Sequence, residues 1–118
     1  MLDKDETKAI QLFINLGVPK NLAKTLIYIS QIDECRSANV EQGADLRQPD
    51  VSVATQELRR RGWIKKRDLK KKGKGRPTHI YKPTTNLSKI LKNFEQEKLK
   101  EIENVKKNIS ELKTILRV

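Results

Sequence analysis

The sequence predicts a mainly α chain with one small β-hairpin and a long C-terminal helix. Three observations carry this. Apolar residues recur at helical spacing through residues 6–32 and again through 49–61. Two β-prone runs, 63–69 and 78–82, flank a stretch of lysines and glycines. From Leu87 onward neither Gly nor Pro occurs, and aliphatic residues follow a heptad rhythm among charges of both signs.

In chain order, Ile10, Phe13, Ile14 and Leu16 mark a first helix, which Gly17 is placed to end. Leu22, Leu26, Ile27, Ile29 and Ile32 mark a second, with Pro19 suited to its first turn, where an N–H has no partner to lose. Together these helices read as core and scaffold, or as a face for a second subunit. Ser37 is placed to cap a short third helix reaching about Ala44, with Val40 inward. Pro49 opens a fourth helix ended by Gly62, and Val51, Ala54, Thr55 and Leu58 form its apolar stripe. Its opposite face shows Asp50, Ser52, Val53, Gln56, Arg59 and Arg60. Trp63 reads as core, holding the hairpin against that helix.

The C-terminal segment carries Ile102, Val105, Ile109, Leu112 and Leu116 at spacings of 3, 4, 3 and 4. Leu87, Leu91 and Phe94 keep a similar rhythm upstream, and Lys98 interrupts it as a stutter does. A helix this long and narrowly striped is marginal alone in water. A second copy is its natural partner through Leu91, Phe94 and the five seam residues; folding back as a single helix is the alternative. Two domains follow: residues 1–86, and a dimerisation helix over 87–118.

Composition narrows the function. Apolar residues make up 36% of the 118 and aromatics 4%, so the core must be small and aliphatic. No apolar run approaches the ~18–20 residues of a membrane span, and residues 1–20 lack the pattern of a signal peptide, so the chain reads as cytoplasmic. Cys35 and His79 are the single Cys and His, too few to build a zinc site, and no cofactor is implied. Cys35 reads as a passive thiol. No glycine loop for phosphates, nucleophile elbow or acid–base pair is present, which points away from an enzyme.

Charge points the other way, towards a polyanion. Residues 59–82 hold twelve of the 26 Lys and Arg and a single acid, Asp68, so this segment alone accounts for the formal charge of +11. The rest of the chain balances to zero. Charge confined in this way is the footprint of a nucleic-acid surface.

Helix, helix, turn, Pro-started helix and basic hairpin is the order of a winged helix-turn-helix domain. Residues 46–83 resemble the recognition helix and wing of archaeal and bacterial winged-helix regulators of the MarR and TrmB-like groups. The resemblance rests on Val51-Ser52, Leu58, Gly62-Trp63, Gly75-Arg76-Pro77 and Tyr81. The stretch LFINLGVPKNLAKTLIYI resembles the two helices that precede the motif in the TrmB-like group. The chain looks like a short form without the further effector domain of many relatives; a small effector in a dimer crevice stays open.

The resemblance implies that residues 50–60 lie in a major groove and that the wing reaches a flanking minor groove or backbone. Asp50, Ser52, Val53, Gln56 and Arg59 are then the base-contact candidates: Gln56 suits adenine, Arg59 or Arg60 guanine or phosphate, and Val53 a thymine methyl. Arg60, Lys65, Lys66, Arg67 and His79 fall to the backbone and wing. So do Lys70, Lys71, Lys72 and Lys74 at the tip, as phosphate contacts without sequence information. Arg76, between Gly75 and Pro77, is held in place to enter a narrow minor groove. The expected function is a homodimeric, sequence-specific, double-stranded-DNA-binding transcriptional regulator. A non-specific architectural DNA coat and a winged-helix protein-interaction module are the alternatives.

Overall fold

The computed structural model describes residues 4–32, 34–69 and 78–118. In chain order these form α1 (Lys4–Asn15), α2 (Lys20–Gln31), β1 (Cys35–Arg36), α3 (Ser37–Gly43), α4 (Gln48–Arg60), β2 (Ile64–Leu69), β3 (Thr78–Pro83) and α5 (Leu87–Leu116). The chain divides into two compact units between Asn86 and Leu87. No helix among the described residues is long and apolar enough to cross a membrane.

The core of the first unit is aliphatic, as the composition requires. Leu26, Ile29, Val40 and Leu58 have no exposed surface, and Val18, Val51 and Ala54 are nearly as deep. On α4 the buried residues are Val51, Ala54, Thr55 and Leu58, the predicted stripe. Thr55 is satisfied there because its Oγ1 donates to the Val51 carbonyl one turn back, at 2.8 Å. The same hydroxyl lies 3.5 Å from the Tyr81 hydroxyl, tying α4 to β3.

The ends of α1, α3 and α4 follow one device. After α1, Gly17 takes φ 92° and the Val18 N–H donates to the Phe13 carbonyl. After α4, Gly62 takes φ 78° and the Trp63 N–H donates to the Leu58 carbonyl. Both are Schellman ends, in which one left-handed residue lets the chain turn back on the last carbonyls. α3 ends the same way without a glycine: Asp45 takes φ 54°, and the Leu46 N–H reaches the Glu41 carbonyl. Gly43 instead clears space, since a Cβ there would collide with the Tyr28 ring.

The sheet is antiparallel in the order β1-β3-β2. Cys35 pairs with Tyr81 and Arg36 with Ile80, and on the other side Lys66 pairs with Tyr81 and Asp68 with His79. Strand β1 is an addition to the expected hairpin, too short to leave a local pattern. Other details also differ. Ser37 is the first residue of α3, not its cap; the Arg36 N–H is accepted by the Asn39 side chain at 2.9 Å. Ile14, and Leu16 just past the end of α1, are 37% and 48% exposed, so among the described residues the buried face of α1 is Ile10 and Phe13.

In the second unit α5 runs unbroken for 30 residues, about 45 Å. Ile102, Val105, Ile109, Leu112 and Leu116 are all about half exposed or more. Phe94, grouped by its spacing with the pairing face, is instead buried in the single chain, whereas Leu91 is exposed. Lys98, the residue that interrupts the seam, lies over the Phe94 ring at 5.4 Å and donates to Glu101 at 3.2 Å.

Two outcomes are expected. Nothing lies within 4 Å of a Cβ built at Gly62, so the penalty of Gly62→Ala is backbone strain alone. It should destabilise the fold by ~1–2 kcal/mol, read as a lower urea midpoint at unchanged m-value; an unchanged midpoint would refute the strain. Cys35 is 4% exposed, and burial pushes its thiol up to about 11. At pH 8 its thiolate is therefore scarce, and a disulfide reagent should label the folded chain ~100-fold more slowly than the urea-unfolded chain. Equal rates would place the thiol at the surface.

Candidate nucleic-acid interface

Burying Val51, Ala54, Thr55 and Leu58 leaves the other side of α4 to solvent. Ser52, Val53, Gln56 and Arg59 are all exposed, and Asp50 is half-buried in the first turn. The five base-contact candidates thus share one helix surface. At its centre Val53 is 66% exposed, an apolar side chain with no place in the core. Near the C-terminal end of α4, Gln56, Arg59 and Arg60 meet Ile64, Lys65 and Lys66 of β2 in a shallow groove. A helix face and a strand edge therefore present four cations and one amide together.

The corner between α4 and β2 sets that geometry. Gly62 turns the chain, Trp63 is 3% exposed, and Ile64 is buried beside it. Thr84 closes the base of the hairpin, its N–H donating to the Trp63 carbonyl at 3.1 Å and its hydroxyl to the Gly62 carbonyl at 2.8 Å. Arg61 lies over the Trp63 ring at 5.1 Å and is only a quarter exposed. It belongs to the corner more than to the exposed face.

Strand alternation then divides the basic residues. Lys66 and Asp68 share the sheet face of Tyr81, whose hydroxyl meets α4; Lys65, Arg67 and Lys82 share the other, with Ile80. Lys65 stands directly opposite Lys82. A second groove on that side is lined by Glu34, Lys65, Lys66, Arg67, Ile80 and Lys82. The wing cations treated as one group by the sequence are thus spread over two faces. Lys70, Lys71, Lys72, Lys74 and Arg76 lie outside the described residues.

Acids already occupy several of these cations. Glu57 accepts from Arg60 Nε at 2.8 Å and also from its Nη2, while Arg61 Nε reaches the same carboxylate at 3.3 Å. These hydrogen bonds, Arg60 foremost, hold the Glu57 carboxyl down to about 2. Arg67 Nη2 sits 3.1 Å from both oxygens of Glu34. His79 Nδ1 lies 2.7 Å from Asp68 Oδ1, and this contact, aided by Lys66 and Arg59 nearby, holds the Asp68 carboxyl low. His79 is therefore engaged across the hairpin rather than standing unpaired. Among the described residues no group of His, Cys, Asp and Glu is arranged to hold a metal.

Glu57 did not emerge from the sequence reading, although its spacing of three and four from Arg60 and Arg61 is that of helix ion pairs. Glu34 gave no local signal, being far along the chain from Arg67. Asp68 and His79 meet only through the hairpin register.

Comparison with protein-family models and with curated proteins gives no match. Solved structures do match. TrmBL2, an archaeal chromatin protein with a novel mode of DNA binding, superposes with a TM-score of 0.61 at 16% identity over 93% of this chain. This chain spans only 41% of that one. A transcriptional regulator homologue from Pyrococcus horikoshii OT3 gives 0.54 at 20% identity, over 86% of this chain and 97% of its own. A MepR variant of S. aureus, bound to an oligodeoxyribonucleotide, gives 0.51 at 21%, over 94% and 88%. The four helices α1–α4, the three-stranded sheet and the long helix that follows are therefore the winged helix-turn-helix fold shared with these MarR- and TrmB-type proteins.

Proposed function

We propose that this chain is a homodimeric regulator that binds double-stranded DNA, with the exposed face of α4 in a major groove and the hairpin on the flanking backbone or minor groove. One observation carries the reading: the continuous surface on which Gln56, Arg59 and Arg60 of α4 meet Lys65 and Lys66 of β2. Cations along its edge meet phosphates and supply affinity. Ser52, Val53 and Gln56, nearly neutral and exposed, suit hydrogen bonds and an apolar contact at base edges. The bound oligodeoxyribonucleotide of the MepR variant supports the same use of a shared fold.

Dimerisation is proposed through α5. Five aliphatic residues at 3-4 spacing stay about half exposed or more along this helix, an arrangement that a second copy covers. Two α4 helices then address half-sites about one helical turn apart. TrmBL2 is described as a chromatin protein, which favours a second reading: a DNA coat that uses the same cations without reading bases.

Two experiments test these readings. In a competition assay, a duplex selected from a random pool should outcompete random duplex by at least ~10³-fold. With about 6–10 phosphates met per dimer, affinity should fall ~10³–10⁵-fold between 50 and 200 mM salt. Equal affinity for both duplexes would favour the coat, and no duplex binding would leave a protein-interaction module. For the dimer, Ile102→Asp with Ile109→Asp should give a monomer by light scattering, while the fluorescence of Trp63, buried in the first unit, keeps its folded-state value. A persistent dimer would move the interface elsewhere, with the exposed Leu12 of α1 and Leu16 just beyond it the next candidates.

A further inference from the structure

Arg59, Arg60 and Arg61 are consecutive in the sequence, yet the fold gives each a different state. Arg61 is laid against Trp63 at the corner. Arg59 is exposed on the face of Ser52 and Gln56, with the hairpin's Asp68 near enough to feel its charge. Arg60 is the most distinctive. Its side chain is 73% exposed, yet Nε donates to Oε2 and Nη2 to Oε1 of Glu57 one turn back. Such a paired fork is held in one direction by two charge-assisted hydrogen bonds, and Nε and Nη2 each have a donor occupied.

Two consequences follow for a duplex. A phosphate approaching Arg60 meets a guanidinium whose charge is partly offset, and must either compete with Glu57 or accept the carboxylate as a close neighbour. Random DNA, which offers only phosphates at this position, therefore gains little from Arg60. A duplex that presents a guanine edge to the remaining donors of the held fork gains from its fixed direction, because bidentate pairing with guanine demands alignment. The surroundings match this role: Glu57 and Arg60 border a cleft that also takes in Asp50, Val53 and Gln56.

We propose that Glu57 is a specificity-determining positioning residue, which holds Arg60 away from indiscriminate phosphate contact and aims it for base recognition. This rests on the proposed DNA-binding function and deepens it: an acid that touches no base sets how strongly the interface prefers its own site. A carboxylate in a DNA-binding face lowers total affinity, and here that loss falls mainly on the wrong sequences.

The test uses the full chain with Glu57→Gln, which removes the charge and keeps the shape, and with Arg60→Ala alone and combined. Glu57→Gln should bind random duplex about fivefold more tightly. Its log–log salt dependence should steepen by about 0.9 per protomer, one further phosphate contact. The ratio of selected to random affinity should fall. In the Arg60→Ala background, Glu57→Gln should change the random-duplex affinity much less, since the restrained group is gone. A role confined to folding would move none of the salt slopes. The proposal is overturned if Glu57→Gln leaves random-duplex affinity and slope unchanged, or if its effect is equal with and without Arg60, which would mark a general charge effect. If the unaltered protein binds no duplex, this proposal falls together with the DNA-binding reading. Duplex binding without response to Glu57→Gln sinks this proposal alone.

Discussion

The arrangement of the first unit depends on one corner, where α4 stops and β2 begins. Leu58 is wholly buried, its carbonyl accepts the Trp63 N–H, and Gly62 between them supplies the left-handed step. Trp63 then fills the space under the turn, and Arg61 covers its ring. A helix that ended one residue later would rotate the departing strand by about 100° around the helix axis. Lys65 and Lys66 would then no longer border Arg59 and Arg60. The functional surface is thus an outcome of backbone geometry at a residue with no side chain.

How much of this was legible in the sequence depends on the range of the interactions. The stripe Val51, Ala54, Thr55 and Leu58 was legible because helical periodicity is local, and the exposed face of α4 follows as its complement. Gly17 and Gly62 were legible as stops because only glycine takes that backbone angle without cost. Asp45 was not, since a left-handed aspartate carries no signal that separates it from an ordinary loop residue. Strand β1 was equally silent: two residues hold no period, and their partner strand lies far along the chain. Ile14 and Leu16 fit a helical stripe but face solvent, because a stripe wider than the neighbouring surface leaves its margins uncovered.

The candidate site divides along the same line. Which residues of α4 face outward could be read; which cations are already partnered could not, Glu57 excepted. The pairs Arg67–Glu34 and His79–Asp68 require strand register and a connection between distant segments. The net charge of a segment therefore overstates the positive surface it offers. Among the described residues of 59–82, Arg60, Arg61 and Arg67 each share their charge with a carboxylate.

The cations of β2 have a consequence unrelated to what the surface binds. With strand order β1-β3-β2, this strand is an edge, and its outer row of amides and carbonyls is available to any extended chain that approaches. Its sequence, Ile-Lys-Lys-Arg-Asp-Leu, places charge at four consecutive positions, and Lys65 faces Lys82 across the ladder at some expense in stability. Strand addition by a like neighbour would bring matching charges into register. The hairpin is in this way guarded against growing into a continuous intermolecular sheet, and removing its lysines would expose a self-association route that the folded chain otherwise keeps closed.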